Sequence, residues 1–433
     1  QQAATENVET EHVETLYHDI LKEAHVLDPA VGSGAFLLAA QDVLVDIYIQ
    51  CIEYFQQLEA EEKGWRLESH TRDELETINA GQGGASLYAK RTVILNNLYG
   101  VDIDEGAVEI CKLRLWLSMV ADIEDEPSEV EPLPNIDFNI RQGNSLIGFT
   151  DVEEVATEEG DASLTNYGAG IGENVHEMYR DVIRSVERHR ESESAREAAE
   201  ARREAEELIE EYGQHLNEKI LKKFRSSGVE SITLDDVLEY SPFHWVLEFA
   251  RVYRDGGFDI VIGNPPWDVL SSNSDEFFAQ YKPTFRSLDQ DEKDEFIDEK
   301  LSNPEIKSDW ESYQQNIDWL TEYFKNSGEY TLQTPEVAGE TATYKNDLSK
   351  LFFERVFQLV DDEAYLSQVL PGLIVNGEAS KDLRMQLLNE TSVQSLLEFE
   401  NNGIFDIHKQ QRFAVITFKN SGRTEELWGI FDQ

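Results

Sequence analysis

The chain has 433 residues and carries 87 Asp and Glu against 37 Lys and Arg, a formal net charge of −50. A hydrophobic content of 40% excludes a wholly disordered chain, and this length usually corresponds to two or three domains. The two cysteines, Cys51 and Cys111, are too few for a disulfide framework or a thiolate metal site. We therefore expect a protein without a metal, in a reducing, cytoplasmic compartment. No uninterrupted run of about 18 apolar residues occurs, so a membrane span is not expected.

Acidic side chains are spread along the whole chain rather than gathered in a tail. Halophilic adaptation, in which molar ions screen the repulsion between carboxylates, is the favoured interpretation. An acidic surface that maintains solubility at ordinary salt is the alternative. Such a charge argues against non-specific binding of nucleic acid over the whole surface. Any nucleic acid must therefore meet a local basic or neutral cleft.

Four short apolar stretches predict the first four strands. They cover residues 26–28, 92–103, 136–140 and 257–262, and they end at Pro29–Gly34, Gly100–Asp104, Gly143–Leu146 and Gly263–Trp267. Helical patterns run from Ala35 to about Phe55 and from Ala107 to Val120. Strands that alternate with helices predict an α/β fold with a doubly wound, mainly parallel sheet. Ligands of such sheets bind at the carboxyl ends of the strands, where all four segments lie.

Two insertions divide the chain, and we expect five segments. Residues 1–149 hold the first three strands, 150–235 form a helical insertion, 236–267 carry the fourth strand, 268–345 form a polar helical insertion or lid, and 346–433 complete the core. The last segment is predicted to contain helices over 348–360 and 382–388, strands over 364–370 and 395–400, and a final hairpin of 402–407 and 413–418.

The turn from Asp28 to Gly34 follows a strand and precedes a helix. Glycines allow a ligand to approach the backbone closely, and the amides at a helix N-terminus favour an anion. Asp102 stands at the end of the next strand, where a carboxylate can bind ribose hydroxyls. Each feature alone is also explained as a turn or a helix cap. Together, in this order, they favour an adenosine-type cofactor.

Asn264-Pro-Pro-Trp267 is the most specific pattern in the chain. Two successive prolines restrict the backbone and remove two amide donors. The amide oxygen of Asn264 and the carbonyl of Pro265 are then two acceptors that can converge on one NH2 group, and Trp267 offers a face on which a base can stack. Accepting both amine hydrogens frees the nitrogen lone pair for attack. A rigid turn with a core tryptophan is the alternative.

In combination, these motifs resemble those of the S-adenosylmethionine-dependent amino methyltransferases with an Asn-Pro-Pro-aromatic motif. The order, cofactor motif before catalytic motif, is similar to that of the gamma class of DNA N6-adenine methyltransferases. Pro242–Trp245, Gly256–Gly263 and the long insertion before them resemble the methyltransferases of type IIG restriction-modification and BREX phage-defence systems. The resemblance covers about residues 20–150 and 240–420.

The resemblance implies a Rossmann-like methyltransferase fold with S-adenosyl-L-methionine as cofactor, bound by the half that spans residues 1–149. It assigns the methionine side of the cofactor to Asp28, Pro29, Ala30, Gly32 and Gly34, the ribose to Asp102, the adenine face to Ile103, and the adenine edge to Asn144 and Ser145. It assigns catalysis to Asn264, Pro265, Pro266 and Trp267, stacking of the target base to Trp267 and Phe405 with Phe413 as the alternative, and DNA contact to Lys409 and Arg412.

The chain departs from the family pattern at both ends. Residues 1–24 lack the Tyr-Thr-Pro type motif that normally precedes the glycine turn, so we expect part of the cofactor pocket to be missing. A target-recognition domain normally follows the core, whereas this sequence stops at Gln433.

The resemblance therefore implies methylation of the N6 amine of adenine in double-stranded DNA, with other restriction or defence subunits as candidate partners and no membrane. One alternative is the same chemistry on a protein glutamine amide or an RNA base amine. Another is a subunit that binds cofactor and DNA without turnover. A dehydrogenase is disfavoured, because Asp28-Pro-Ala lacks the three-glycine dinucleotide fingerprint.

Overall fold

The computed structural model describes residues 2–81, 83–121, 136–151, 171–191, 195–333, 336–337, 340–341, 346–401, 403 and 412–430. The strands are β1 (Val26–Asp28), β2 (Leu98–Asp102), β3 (Ile140–Gln142), β4 (Phe258–Gly263), β5 (Glu336–Val337), β6 (Glu340–Thr341), β7 (Val360–Pro371), β8 (Ser392–Glu400), β9 (Arg412–Lys419) and β10 (Gly429–Ile430).

The α-helices are α1 (Gln2–Thr15), α2 (Ala35–Ala60), α3 (Ser69–Ala80), α4 (Gly84–Thr92), α5 (Glu105–Val120), α6 (Ile171–Glu191), α7 (Ala195–Ser226), α8 (Leu234–Glu239), α9 (Trp245–Glu248), α10 (Ala250–Arg254), α11 (Ser274–Ala279), α12 (Gln290–Leu301), α13 (Pro304–Asn326), α14 (Leu348–Gln358), α15 (Leu373–Asn376) and α16 (Lys381–Asn389). Two π-helical turns cover Leu16–Leu21 and Val93–Asn97.

Eight strands form one sheet in the order β10-β8-β9-β7-β4-β1-β2-β3. Its pairings are parallel except those of β9, which runs antiparallel to β7 and β8. Strand β1 lies between β2 and β4, because Val26 pairs with Leu98 on one side and with Ile260 on the other. The strand order therefore switches direction at β1, which is where such sheets bind ligands. The prediction of a doubly wound, mainly parallel α/β fold with helical insertions is confirmed.

Apolar side chains cover both faces of the sheet. One core cluster joins β1 and β2 to α2 and α5, and another, on the opposite face, joins β1, β2 and β4 to α9 and α14. This follows from the all-apolar start of β1, where Val26 and Leu27 point to opposite faces. Helix α2 is long and apolar enough to cross a membrane by length and composition alone, yet nine of its side chains are buried inside the fold, as in a core helix.

The two insertions share a third core cluster with the loop that follows β3. Val182 of α6 and Ile220 of α7 pack with Tyr323 of α13 and with Leu146 and Phe149 of that loop. Residues 192–194, between α6 and α7, lie outside the described part of the chain. The apolar stripe of the helical pair is therefore buried against the core beside the strand ends.

The second and third strands are shorter than the sequence predicts. Residues 93–97 form a π-helical turn, and Asn97 is buried there because its amide donates to the carbonyls of Leu21 (2.6 Å) and Ala24 (2.7 Å). Residues 136–139 form a turn, because the amides of Asn139 and Ile140 both donate to the carbonyl of Ile136. The predictions of strands from 92 and from 136 are therefore wrong at their first residues. Each apolar run packs into the core as a turn of helix or loop before the strand begins.

The C-terminal part of the core contains the predicted elements with longer strands. Strand β7 begins at Val360 instead of 364, β8 begins at Ser392 instead of 395, and α16 covers the predicted helix. Strand β9, which contains the predicted second arm of the final hairpin, lies between β7 and β8 and is antiparallel to both. The other predicted arm, 402–407, falls outside the described residues except at Gly403.

Gly34, which precedes α2, has a left-handed backbone with φ of +81° and lies against α5. A Cβ atom placed on it would lie 2.6 Å from the sulphur of Cys111. Gly32, two residues earlier, has φ of +50° but no atom within 4 Å of an added Cβ. Substitution of Gly32 would therefore introduce backbone strain alone, whereas substitution of Gly34 would introduce backbone strain and a steric clash with Cys111.

Gly34→Ala is expected to lower the free energy of unfolding by about 2–5 kcal/mol, since a left-handed L-residue costs about 1–2 kcal/mol and overpacking adds about 1–3 kcal/mol. Gly32→Ala, the matched control, is expected to cost about 1–2 kcal/mol from backbone strain alone. Urea unfolding in molar KCl measures both. Cys111→Ala should reduce the cost of Gly34→Ala. Equal costs for the two glycines, or no effect of Cys111→Ala, would contradict the contact.

Candidate functional site

The glycine turn between β1 and α2 is held against the end of β2. The amide of Val31 donates to the carbonyl of Val101 (2.9 Å), and the amide of Gly32 donates to a carboxylate oxygen of Asp102 (2.8 Å). The other oxygen of Asp102 accepts from the amide of Asp104 at 3.0 Å. Each carboxylate oxygen carries a second lone pair, so Asp102 can still accept from a ligand.

The loop after β3 is bonded to the same turn. The hydroxyl of Ser145 donates to the carbonyl of Pro29 (2.6 Å), and the indole N–H of Trp245 donates to the carbonyl of Ser145 (3.2 Å). The side-chain oxygen of Asn144 accepts from the amide of Leu146 (3.1 Å) and closes a tight turn. Asn144 and Ser145 therefore both fix the shape of their own loop.

Pro242–Trp245, a segment that carries part of the family resemblance, packs against this loop. A Cβ atom at Gly143 would lie 2.5 Å from the ring of Phe243, and one at Gly148 would lie 1.9 Å from the Phe243 carbonyl oxygen. Burial lowers the pKa of His244 to about 3, and a nearby lysine charge acts in the same direction. The imidazole is therefore neutral near pH 7. It is buried and forms a hydrogen bond with the side-chain oxygen of Asn217 (3.0 Å).

The tetrapeptide Asn-Pro-Pro-Trp begins directly after β4. The side-chain oxygen of Asn264 is buried, and no residue in the described part of the chain donates a hydrogen bond to it. Pro265 is buried, whereas Pro266 and Trp267 are partly buried. A buried acceptor without a donor costs about 1–3 kcal/mol. This oxygen is therefore suited to a donor that arrives with a ligand.

Aromatic rings surround the end of this motif. The ring centroids of Trp267 and Phe413 are 6.4 Å apart with an interplanar angle of 32°, and Phe413 stacks on Phe399 at 5.2 Å. Phe413, the alternative stacking residue, therefore lies beside Trp267. Phe405 and Lys409 fall outside the described residues, so their predicted roles remain predictions.

Arg412 lies at the start of β9, close to these rings. Its guanidinium nitrogens are 3.6 Å from a carboxylate oxygen of Glu398 and 3.6 Å from one of Glu400. The side chain is 40% exposed, so it can reach solvent while two acidic neighbours partly neutralise its charge. Its predicted contact with DNA remains a prediction.

A cavity of about 480 Å³ opens at the carboxyl ends of the first four strands. Eight of the predicted site residues line it, namely Pro29, Ala30, Asp102, Ile103, Asn144, Ser145, Asn264 and Pro266. Its apolar walls include Leu270, Leu320, Phe324, Leu348 and Phe352. Seven other predicted residues in the described part of the chain are outside its lining, namely Asp28, Gly32, Gly34, Pro265, Trp267, Arg412 and Phe413. The fold thus brings the glycine turn, the second and third strand ends and the Asn-Pro-Pro motif to one cavity.

Asp28 is buried at the base of the glycine turn, at 1% exposure. Burial raises the pKa of its carboxyl to about 7; the hydrogen bond from the Ala30 amide (3.1 Å) opposes that rise, and repulsion from Asp102 adds to it. A carboxyl with this pKa is partly protonated at neutral pH. A cation placed beside it would favour the charged form.

Gln368 is a polar residue at the site that the motif analysis missed. It lies on β7, pairs in register with Gly263 and is 1% exposed. Neither its side-chain nitrogen nor its oxygen has a hydrogen-bond partner among the described residues. A Cβ atom on Gly263 would lie 2.7 Å from the Asp28 carboxylate and 3.7 Å from the Gln368 nitrogen. The signal in the sequence was the alternation of β7, where a glutamine stands between the inward-facing Leu366 and Leu370.

Comparison with known families and proteins gives consistent matches. A family model for the Eco57I restriction-modification methylase matches residues 96–297 and 322–405, and one for the DNA-methyltransferase domain of MmeI matches residues 3–179. The putative type II restriction enzyme and methyltransferase RM.MjaORFECS2P of Methanocaldococcus jannaschii is 29% identical over 317 residues, which is 64% of this chain and 25% of that protein. The type II restriction enzyme and methyltransferase RM.Eco57I of Escherichia coli is 30% identical over 151 residues, which is 32% of this chain and 13% of that protein.

Among solved structures, the chain is similar to the ATP-dependent Type ISP restriction-modification enzyme LlaBIII bound to DNA, with a TM-score of 0.38 and 13% identity over 96% of this chain and 18% of that one. It is also similar to the EcoKI M protein of a Type I restriction enzyme, with a TM-score of 0.30 and 12% identity over 97% of this chain and 47% of that one. The matched region spans 25% of the length of RM.MjaORFECS2P and 13% of the length of RM.Eco57I, so the chain corresponds to only part of these relatives. Because the Eco57I model matches more than half of its residues, the chain belongs to the Eco57I family of restriction-modification methylases.

Proposed function

We propose that this chain transfers a methyl group from S-adenosylmethionine to the N6 amine of adenine in double-stranded DNA, as part of a restriction-modification or BREX-type defence system. The observation that carries the proposal is that one cavity is lined both by Ala30 and Asp102, on the side of the glycine turn, and by Asn264 of the Asn-Pro-Pro motif. A group donor and an amine acceptor must meet in one space for direct transfer. Membership of a restriction-modification family supports DNA as the substrate.

The residues on the cofactor side suit S-adenosylmethionine. Ile103 is 57% exposed at the cavity, so its apolar side chain can cover an adenine face, while the carboxylate of Asp102 has lone pairs left for ribose hydroxyls. The buried carboxyl of Asp28 suits the positive charges of the methionine end. When bound, S-adenosylmethionine supplies a methyl group attached to a sulfonium sulphur.

The residues on the substrate side suit a planar exocyclic amine. The buried oxygen of Asn264 and the carbonyl of Pro265 would accept its two hydrogens, and the nitrogen lone pair would then be available for attack. The base has to leave the duplex stack, at a cost of a few kcal/mol, and Trp267 with Phe405 would hold it between their rings. The nitrogen becomes acidic once methylated and loses one proton, so no strong base is required.

The proposal has two competitors. A protein glutamine amide or an RNA base amine would meet the same two acceptors, and a non-catalytic subunit would bind cofactor and DNA without turnover. The acceptor oxygen of Asn264, which has no donor within the described part of the chain, favours turnover. The molecule that becomes methylated, whether DNA, RNA or protein, distinguishes the proposed substrate from the other two.

Asn264→Ala is expected to lower methyl transfer to DNA about 100-fold or more, the usual effect of removing one preorganised polar group from an active site. The assay uses labelled S-adenosylmethionine and mixed-sequence double-stranded DNA at low and molar KCl, with N6-methyladenine as the product. Asn79→Ala is the matched control, because Asn79 is an exposed amide on α3 that contacts Gln56 and Glu59.

Three results would count against the proposal. Wild-type label on protein or RNA instead of DNA would favour the other amine substrates. Cofactor binding without transfer to any of the three would favour the non-catalytic subunit. Retention of transfer by Asn264→Ala would refute the assigned role of the motif.

The raised pKa of Asp28 gives a pH-dependent prediction. Its folded-state pKa of about 7 exceeds the ordinary value of 3.8, so its contribution to stability is fully present below about pH 4 and is lost as pH rises through 7. Asn at position 28 does not titrate. Asp28→Asn should therefore gain stability relative to wild type between pH 5 and pH 8 by at most about 3 kcal/mol, at about 1.4 kcal/mol per pH unit over the two units from pH 5 to the folded-state pKa of about 7.

Urea unfolding without cofactor at both pH values tests this prediction, with the exposed Asp73→Asn as control. A difference between wild type and Asp28→Asn that stays constant from pH 5 to pH 8 would show that Asp28 is ionised throughout. The same variant should bind S-adenosylmethionine more weakly at pH 8, because it cannot provide the negative charge.

A further inference from the structure

Two buried donors converge on the backbone carbonyl of Leu146, in the loop after β3. The Tyr330 hydroxyl donates to this oxygen at 2.5 Å, and an Arg355 guanidinium nitrogen donates to it at 2.8 Å. A second guanidinium nitrogen of Arg355 donates to the Tyr330 hydroxyl at 2.9 Å. All three residues are almost fully buried, and Leu146 lines the cavity directly after Asn144 and Ser145.

The guanidinium of Arg355 belongs to a buried charged cluster. Glu329 lies 3.1 Å from it through one carboxylate oxygen, and its other oxygen accepts from Lys223 (3.0 Å) and from the Tyr323 hydroxyl (2.9 Å). A buried charge has to be paired and hydrogen-bonded to remain tolerable, so removing one member disturbs the others. The Leu146 carbonyl is the point at which this cluster touches the lining of the cavity.

The members of the cluster come from three separate parts of the chain. Lys223 is on α7 of the first insertion, Tyr323 is on α13 of the second, Glu329 and Tyr330 follow that helix, and Arg355 is on the core helix α14. The cluster thus joins both insertions and the core to one carbonyl of the loop. No Asn-Pro-Pro or glycine-turn residue takes part in these bonds.

We infer that Tyr330 and Arg355 are positioning residues for the cofactor pocket and that, through the Leu146 carbonyl, both insertions set the affinity for the cofactor. This inference rests on the proposed function, which places the adenine edge of S-adenosylmethionine at Asn144 and Ser145. A loop that is held at Leu146 presents its preceding residues in one position, and this reduces the ordering cost of binding.

Tyr330→Phe and Tyr323→Phe provide a matched test. Each removes one buried hydroxyl from the same cluster, but the Tyr330 hydroxyl touches Leu146, whereas the Tyr323 hydroxyl touches Glu329. Tyr330→Phe should weaken binding of S-adenosylmethionine about five- to tenfold, the effect of one lost hydrogen bond. Tyr323→Phe should change that affinity less than about twofold. Calorimetric titration measures the affinity, and thermal unfolding checks that both variants lose similar stability.

Hydrogen exchange of the amides of residues 143–148 provides a readout that needs no cofactor. Exchange in this loop should be faster in Tyr330→Phe than in Tyr323→Phe. Equal effects of the two variants on both affinity and exchange would overturn the inference, since they would show that the cluster only stabilises the fold. Wild-type protein that neither binds S-adenosylmethionine nor transfers a methyl group would instead refute the proposed function, and hydrogen exchange would still decide whether Tyr330 positions the loop.

Discussion

The site depends on the position of β1, which has a parallel neighbour on each side. The pairing of β1 with both β2 and β4 puts the carboxyl ends of these strands side by side, at similar depth in the sheet. The chain leaves each strand through a turn at this edge. The strand pairing alone therefore brings the glycine turn, Asp102 and Asn264 together. The second insertion starts directly after the Asn-Pro-Pro-Trp motif and lines the cavity with Leu270, Leu320 and Phe324.

Polar groups at this edge fall into two classes. Most are satisfied within the chain, as in the bonds from Gly32 to Asp102 and from Ser145 to Pro29, and these bonds fix the loops relative to the sheet. Asn264 and Gln368 instead keep buried polar atoms with no partner in the described ranges. A buried polar atom without a partner is uncommon in a folded protein, and either an ordered water or a ligand can supply the missing bond.

Much of this arrangement could be predicted from the sequence, because strand-ending motifs are local signals. The apolar strands with glycine or Asn-Pro-Pro turns indicated the fold class, and the family resemblance of these motifs assigned eight of the residues that line the cavity. The starts of β2 and β3 were wrong, since a short apolar run fits a strand and a buried turn equally well. Glu329 and Arg355 escaped notice, because a buried ion pair between residues of different elements leaves no periodic pattern.

The order of the strands along the chain has a consequence for how the protein folds. Strand β1 lies within the first thirty residues, yet its partner β4 is synthesised more than two hundred residues later. Closing so long a loop costs entropy before the pairing repays it, so this contact forms late, after β1, β2 and β3 can already associate. A growing chain therefore carries an unpaired apolar edge of β1 until β4 emerges, which exposes it to aggregation during synthesis. The two halves of the cavity come together in that pairing step, so the site cannot be complete before β4 has joined the sheet.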